Sequence, residues 1–365
     1  AIARPVGKPH GLMHLANPPG NDVVMGLAAY PTAMGILKKL VGSLRSASGG
    51  YDGHIILGVH SQIPLEEQEY LKKMDVTFYA VEFVSCDESI QVKGNNEKNV
   101  VRGLCAKGLE KLKLEWSRFE MCRQWLHACK TCTGWALVLD TRDVFFQANP
   151  FLSLPPPNSS PYDLLFIEEI SKHTCPKAED PNRYFVLGNS NYRPVKGKVC
   201  YGAYHKPFQD RPVLCSGTII GTRKGVDRFL AVFVQEFYDN NAKTNLKCRS
   251  PYNTDQMTLQ YLYYYGRFGE FERTKTSPWG TGPVNTIGKA CVDKNKLLPK
   301  ERDSALDLTE FDNTTGLILN THEGPNSLAR ISPLVHQFDR CRLWIQPFFH
   351  KHPELFEATE VAWLK

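Results

Sequence analysis

The chain has 365 residues, of which 42% are apolar and 22% charged, so it can bury a substantial core and is neither disordered nor fibrous. Its 44 basic and 38 acidic side chains leave a net charge of +6 with no long basic block, which gives nucleic-acid binding little support and suits a modest anionic ligand. No apolar run reaches the roughly 18 residues that cross a bilayer.

The start, Ala1-Ile2-Ala3-Arg4, has no initiator Met and no signal-peptide pattern, as expected of a processed or truncated chain. Residues 1–22 are punctuated by Pro and Gly and read as an N-terminal arm. Order begins with an apolar strand from Val23 to Ala29, ended by Tyr30-Pro31-Thr32. A helix with Ile36, Leu37, Leu40, Val41 and Leu44 on one face follows. A small-residue turn from Ser46 to Gly53 leads to a buried strand at His54 to Val59, completing a βαβ unit. A helix from Leu65 to Met74 and a strand from Val76 to Val81 repeat the alternation. That pattern predicts a mainly parallel sheet covered by helices on both faces and joined by right-handed crossovers.

Ser117 and Glu120 form a capping-box pattern, with Trp116 and Met121 placed as a hydrophobic staple, so a helix is predicted to start at Ser117. Its apolar face carries Phe119, Cys122, Trp125, Leu126 and Cys129. After Gly134 the buried strand Trp135 to Leu139 runs straight into Asp140. Ser153 to Pro161, with four prolines, reads as a rigid surface loop and the best place for a seam. Further strands are expected at Leu164 to Ile167, Val213 to Ile220 and Gly316 to Leu319, with helices at Val226 to Tyr238 and Thr254 to Tyr265.

Eleven cysteines are many for a cytosolic enzyme and suit a secretory lumen, with one thiol left unpaired. Two glycosylation tripeptides, at Asn158 and Asn313, point the same way. His127, Cys129 and Cys132 have metal-like spacing but lack a second pair of ligands, which favours core or disulfide use.

In open α/β sheets ligands bind beyond the carboxyl ends of the strands, which is where Asp140-Thr141-Arg142-Asp143 falls. Two carboxylates there suit a hard divalent ion such as Mg²⁺ or Mn²⁺. The spacing alone fits equally a turn cap at Asp140 and an ion pair of Asp143 with Arg142 or another surface cation. No Walker loop or GxGxxG cradle is present.

Four segments together resemble the nucleotide-sugar-dependent glycosyltransferases of the GT-A fold. The run from Leu137 to Gln147, closing with Asn149-Pro150-Phe151, looks like the strand and acidic metal motif of a eukaryotic branch. It departs from the usual Asp-x-Asp, because the second acid lies three residues after the first. Cys215-Ser216-Gly217-Thr218-Ile219-Ile220-Gly221 is similar to the small-residue strand that lies close to the donor sugar. Asn253-Thr254-Asp255-Gln256 opens a helix where the family often places an Asp-Gln pair facing donor and acceptor. Leu334-Val335-His336-Gln337-Phe338-Asp339-Arg340 resembles the late strand end whose His joins the metal shell, with His322 as a rival. The likeness spans Val23 to Arg340.

The resemblance implies an α/β, GT-A-like (Rossmann-like) fold with a central, mainly parallel sheet flanked by helices. The arm of residues 1–22 would precede one catalytic domain at 23–345, its donor-binding part about 23–152 and its acceptor-side part about 162–345. Residues 346–365 would form a C-terminal extension. Asp140, Asp143 and His336 would hold Mn²⁺ or Mg²⁺, while Tyr30, Thr32, Arg118, Asp140, Ser216 and Gly217 would bind the donor. Asp255 is the leading catalytic acid, with Glu168 and Glu169 as alternatives, and the Asp-Gln pair favours retention of configuration. The implied partners are a nucleoside-diphosphate sugar, UDP by family habit, and a glycan or glycoprotein hydroxyl. Nucleic acid is not expected. The implied location is the lumen of the Golgi or endoplasmic reticulum, with membrane contact only through an anchor absent from this chain, or secretion. Trp279, in a turn-rich loop, is an acceptor-site candidate, whereas Tyr261 to Tyr265 reads mainly as core.

Two other classes compete. A phosphohydrolase of the haloacid-dehalogenase type also puts an Asp after a strand, but Asp143 is one residue out of that motif's register. A non-catalytic, lectin-like module could use the same fold.

Overall fold

A computed structural model of the chain describes residues 5–30, 33–47, 50–87, 104–112, 114–169, 212–243, 255–269, 273–287, 310–312, 315–320 and 330–340, together with His350 and Pro353. In chain order the arm contributes β1 (Leu12–His14), and β2 (Val23–Ala28) follows. The predicted first helix is α1 (Met34–Leu37), a π turn at Lys38–Gly42 and α2 (Ser43–Ser46). The wider π turn has a local use: Ser43 Oγ bonds back to the Lys39 carbonyl and accepts the Phe146 amide at 2.8 Å. Then come β3 (His54–His60), α3 (Leu65–Lys73), β4 (Thr77–Val81), β5 (Phe83–Ser85) and β6 (Leu104–Ala106). The second half holds α4 (Leu114–Ala128), β7 (Trp135–Asp140), β8 (Val144–Phe146), β9 (Leu164–Glu168) and β10 (Leu214–Thr222). It continues with α5 (Arg223–Lys243), α6 (Asp255–Tyr264), β11 (Thr274–Ser277), β12 (Val284–Thr286), β13 (Glu310–Phe311), β14 (Ile318–Leu319) and β15 (Leu334–His336).

Eight strands form one mixed sheet in the order β1-β4-β3-β2-β7-β10-β9-β11. The ladders β4/β3, β3/β2, β2/β7 and β9/β11 are parallel, while β1/β4, β7/β10 and β10/β9 are antiparallel. The expected α/β sheet is therefore present and mostly parallel, with an inserted antiparallel β10 and an antiparallel edge strand from the arm. The strands on either side of the proline-rich loop, β7 and β9, lie in this same sheet.

Helices cover both faces, which is why the strands read as continuous apolar runs. Met25, Ile56 and Val138 face α4 and α5, where Phe119, Trp125, Phe229, Phe233 and Phe237 pack. Val24, Leu57 and Leu137 face the opposite core with Leu37, Leu40, Val41, Leu44 and Leu71. Among the described residues no helix is long and apolar enough to cross a membrane.

The predicted start of α4 is corrected. Ser117 is no cap but a buried residue inside the helix, its Oγ donating to the Leu114 carbonyl at 3.2 Å. The helix extends earlier because Trp116 stacks on Phe237, centroids 4.4 Å apart and planes 2° apart, so tertiary packing outweighs the local cap signal. Among the described residues, Cys86–Cys105 and Cys129–Cys132 are disulfides and the buried Cys122 and Cys215 are free thiols, where the sequence led us to expect one unpaired thiol in all.

Candidate metal centre

The chain runs outward through β2, β3 and β4, then returns to the other side of β2 as β7, so the strand order reverses between β2 and β7. At such a switch point the loops beyond the carboxyl ends diverge and leave a crevice. Thr141 closes the strands at its base: Oγ1 donates to the Leu27 carbonyl at 2.6 Å, and a Cβ on Gly26 would lie 2.5 Å from Thr141 Cγ2. Asp140 ends β7 at the mouth of that crevice.

A small second sheet, in the order β12-β15-β8, supplies the other groups. His336 pairs in register with Val144, the residue after Asp143, and with Thr286 on the other side. The Gln337 amide donates to the Asp143 carbonyl at 2.7 Å, and Gln337 itself has φ of +61°, a left-handed conformation uncommon for a residue other than Gly. Asp143 and His336 are thereby locked side by side.

Ligand atoms of Asp140, Asp143 and His336 all lie within 4.8 Å of one another. His336 Nε2 is 3.6 Å from Asp143 Oδ1 and 4.0 Å from Asp140 Oδ2. The other ring nitrogen, Nδ1, lies 3.4 Å from Thr286 Oγ1 and 3.3 Å from Cys215 Sγ. With Nδ1 protonated and donating to Thr286, Nε2 presents its lone pair to the carboxylates, the arrangement that orients an imidazole ligand. Burial pushes the Cys215 thiol up to about 12, so it remains an S–H. The donor set is therefore two carboxylates and one imidazole, suited to Mn²⁺ or Mg²⁺ more than to a thiophilic ion. The His336 and Asp143 side chains are 1% and 7% exposed but Asp140 is 37% exposed, so the group opens to the crevice on the Asp140 side.

Gly217 of β10 lies directly over this group. A Cβ there would stand 2.6 Å from His336 Cε1, 2.7 Å from Asp140 Oδ2 and 2.8 Å from His336 Nε2. The β9/β10 register shifts between Leu214 and Ile219, so this stretch of β10 leaves its regular ladder with β9. Two glutamines of α6 replace it: Gln256 and Gln260 Nε2 donate to the Leu214 carbonyl at 3.0 and 2.7 Å, and the Leu214 amide donates to Gln260 Oε1 at 3.1 Å. Gln256 thus holds a strand, in contrast to the expectation that it faces a ligand.

Arg118, in the second turn of α4, ion-pairs through NH1 with Asp140 and through NH2 with Asp255 Oδ2 at 2.5 Å. The same NH2 lies 3.4 Å from the Ser216 carbonyl. The structure therefore gathers Arg118, Asp140, Asp143, Ser216, Gly217, Asp255 and His336 into one cluster, although they are spread over 219 positions of sequence. Tyr30 follows β2 at the same edge, half-buried.

Glu168 pairs in register with Leu214, and Glu169 is buried near Cys215, whose thiol its charge pushes up. Thr32, His322 and Asn313 lie outside the described residues, while Asn158 is exposed. Trp279 is half-buried and donates from Nε1 to the Thr286 carbonyl at 3.0 Å, one residue removed from the His336 ring. Tyr263 packs on the core and the Tyr264 hydroxyl bonds the Pro212 carbonyl. Thr286 and Gln337, which orient His336 and Asp143, carry no signal in the sequence.

A second group, His54, Cys129 and Cys132, also has ligand atoms within 4.8 Å, but its sulfurs are bonded to each other. His127 bonds Asp227 at 2.6 Å. A cavity of about 700 Å³ opens between the arm, β4 and α4, lined by His10, Tyr79, Glu120, Gln124 and Trp125 among others, and none of the clustered acids reaches it. Neither a family model nor a curated protein matches the chain.

Proposed function

We propose that the chain is a metal-dependent glycosyltransferase that moves a sugar from a nucleoside-diphosphate sugar, with UDP as the expected nucleotide, to a hydroxyl of a glycan or glycoprotein. The observation that carries this reading is the meeting of Asp140, Asp143 and His336 under Gly217 at the strand-order switch point. The GT-A resemblance of the sequence names these same positions, and a shared site across such distant segments is what that resemblance requires.

Asp140, Asp143 and His336 are the residues that would hold Mn²⁺ or Mg²⁺. When bound, the ion supplies positive charge against the departing diphosphate. The remaining work falls to the chain's own groups. Gly217, by lacking a side chain, lets His336 and Asp140 pack directly against β10. Arg118 presents a planar fork of donors suited to phosphate oxygens. Asp255, at the start of α6 and ion-paired to Arg118, would stabilise an oxocarbenium-like centre on the donor. Glu169, buried beside Cys215, is the weaker choice. Tyr30 would meet the base and Trp279 the acceptor. Residence in the Golgi or endoplasmic reticulum lumen is supported by the two disulfides and the exposed Asn158 tripeptide.

The test is thermal unfolding with UDP, GDP or CMP, each with and without Mn²⁺, on the wild type and Asp143→Ala. UDP with Mn²⁺ should stabilise the wild type by about 2.7 kcal/mol at a hundredfold excess over Kd. Neither component alone should match that effect, and Asp143→Ala should abolish it. Release of UDP from a UDP-sugar only when an acceptor is added would then establish transfer. Absence of any nucleotide- or metal-dependent shift in the wild type would overturn the reading.

A further inference from the structure

Arg118 holds the very carboxylate that a cation would use. Its guanidinium is shared between Asp140 and Asp255, the side chain is 11% exposed, and its buried Nε has no hydrogen-bond acceptor among the described residues. Arg118 pairs with two of the three clustered aspartates, and the exposed Arg142 reaches Asp143 only at 4.0 Å while also pairing with Asp339, so the cluster keeps net negative charge for a cation to meet. A dication entering beside Asp140 meets that guanidinium within a few ångströms, and the two like charges repel. A diphosphate changes the balance. It offers Arg118 a bidentate acceptor and takes up its charge, including the donor at Nε that no described residue uses.

We propose that Arg118 is an internal counter-ion that transfers from Asp140 to the diphosphate when the nucleotide arrives, so that metal and nucleotide bind cooperatively and the bare metal binds weakly. The inference rests on the metal and nucleotide reading above. It assigns Arg118 two opposed effects: it weakens the metal site when alone and strengthens the joint site when the nucleotide is present. A residue that only braced Asp140 would change both in the same direction. Because coupling is reciprocal, UDP must tighten Mn²⁺ by the same factor as Mn²⁺ tightens UDP.

The experiment titrates the full chain with Mn²⁺, reading free Mn²⁺ by electron paramagnetic resonance, with and without saturating UDP. In the wild type UDP should tighten Mn²⁺ on the order of 5- to 150-fold, the usual span of such couplings. Arg118→Met should bind bare Mn²⁺ several-fold tighter than wild type and lose most of the coupling. Arg118→Lys, which keeps the charge and loses the fork, should bind bare Mn²⁺ as weakly as wild type and show reduced coupling. This milder variant keeps the test decisive if Arg118→Met does not fold. Bare Mn²⁺ binding that is unchanged or weaker in Arg118→Met would overturn the proposal, as would full coupling in Arg118→Lys. A wild type that binds Mn²⁺ neither alone nor with UDP would instead remove the metal centre itself, and this inference with it.

Discussion

The two ends of the same strands are built on opposite principles. At the amino edge, where β3 starts at His54 and β7 at Trp135, polar groups are tied to one another. Asp22 Oδ1 accepts the Trp135 amide at 2.7 Å, and the Gly134 amide donates to the Asn21 carbonyl at 2.9 Å. Thr131 Oγ1 lies 3.0 Å from His54 Nε2, and Arg223 donates to the carbonyls of Leu126, Cys129 and Cys132 at 2.8, 2.7 and 2.5 Å. At the carboxyl edge, three aspartates converge on the buried Arg118 and one imidazole, with the exposed Arg142 4.0 Å from Asp143, against a glycine whose missing side chain lets His336 and Asp140 approach the strand. Each edge brings a metal-like trio within 4.8 Å. Proximity alone therefore does not define a site. At the amino edge the donors have been consumed by a disulfide and by hydrogen bonds, whereas at the carboxyl edge like charges are held together at a cost that a bound cation would relieve.

If the amino edge is structural, Arg223→Met should have the largest effect on stability, about 2–4 kcal/mol, because three carbonyls lose a charged donor at once. Urea unfolding would measure this, and Mn²⁺ affinity of the folded variant should be unchanged. A loss of Mn²⁺ affinity in that variant would break the division between the two edges.

Gly217→Ala tests the opposite end. The new methyl must displace the buried His336 ring or the Asp140 carboxylate, so metal affinity should fall about 10- to 100-fold, as when a ligand's supporting contacts are lost. Thermal stability should fall by less than in Arg223→Met. Equal Mn²⁺ affinity in the variant and wild type would show that the three residues do not share an ion.

The smallest effect concerns the core between the edges. Burial pushes the Cys122 thiol up to about 12, while in the unfolded chain it loses its proton near pH ~8.5. Between those values the folded state holds the extra proton, so stability falls as pH rises, by about 1.4 kcal/mol per pH unit from this group. Cys122→Ala should flatten the decline of the unfolding free energy, measured by urea titration between pH 9 and 11, by that amount. An unchanged slope would mean the thiol ionises inside the fold.

Much of the fold was legible because strands buried on both faces and helices with one apolar stripe have distinct periods. The strands expected at Val23 to Ala29, His54 to Val59 and Trp135 to Leu139 lie within a residue of the observed ends. The start of α4 was misread, since Ser117 and Glu120 satisfy a local cap rule while Trp116 obeys a partner, Phe237, over a hundred residues away. The antiparallel insertion of β10 was also illegible, because a buried strand's apolar run does not record its direction.

Within the site, the place just past a buried strand singled out Asp140 and Asp143 in the sequence, whereas Gly217, Asp255 and His336 were marked by the resemblance to the GT-A segments. Thr286, Gln337 and the Gln260 clamp on Leu214 were singled out by neither. Chain order alone determined an α/β sheet with an acidic motif at a strand end, because apolar periodicity and side-chain chemistry are local properties. Only the tertiary structure decided that Arg118 lies between Asp140 and Asp255, and that His336 turns one nitrogen to Thr286 and the other to the carboxylates. Such pairings depend on distances between segments far apart in the chain, which no local pattern encodes.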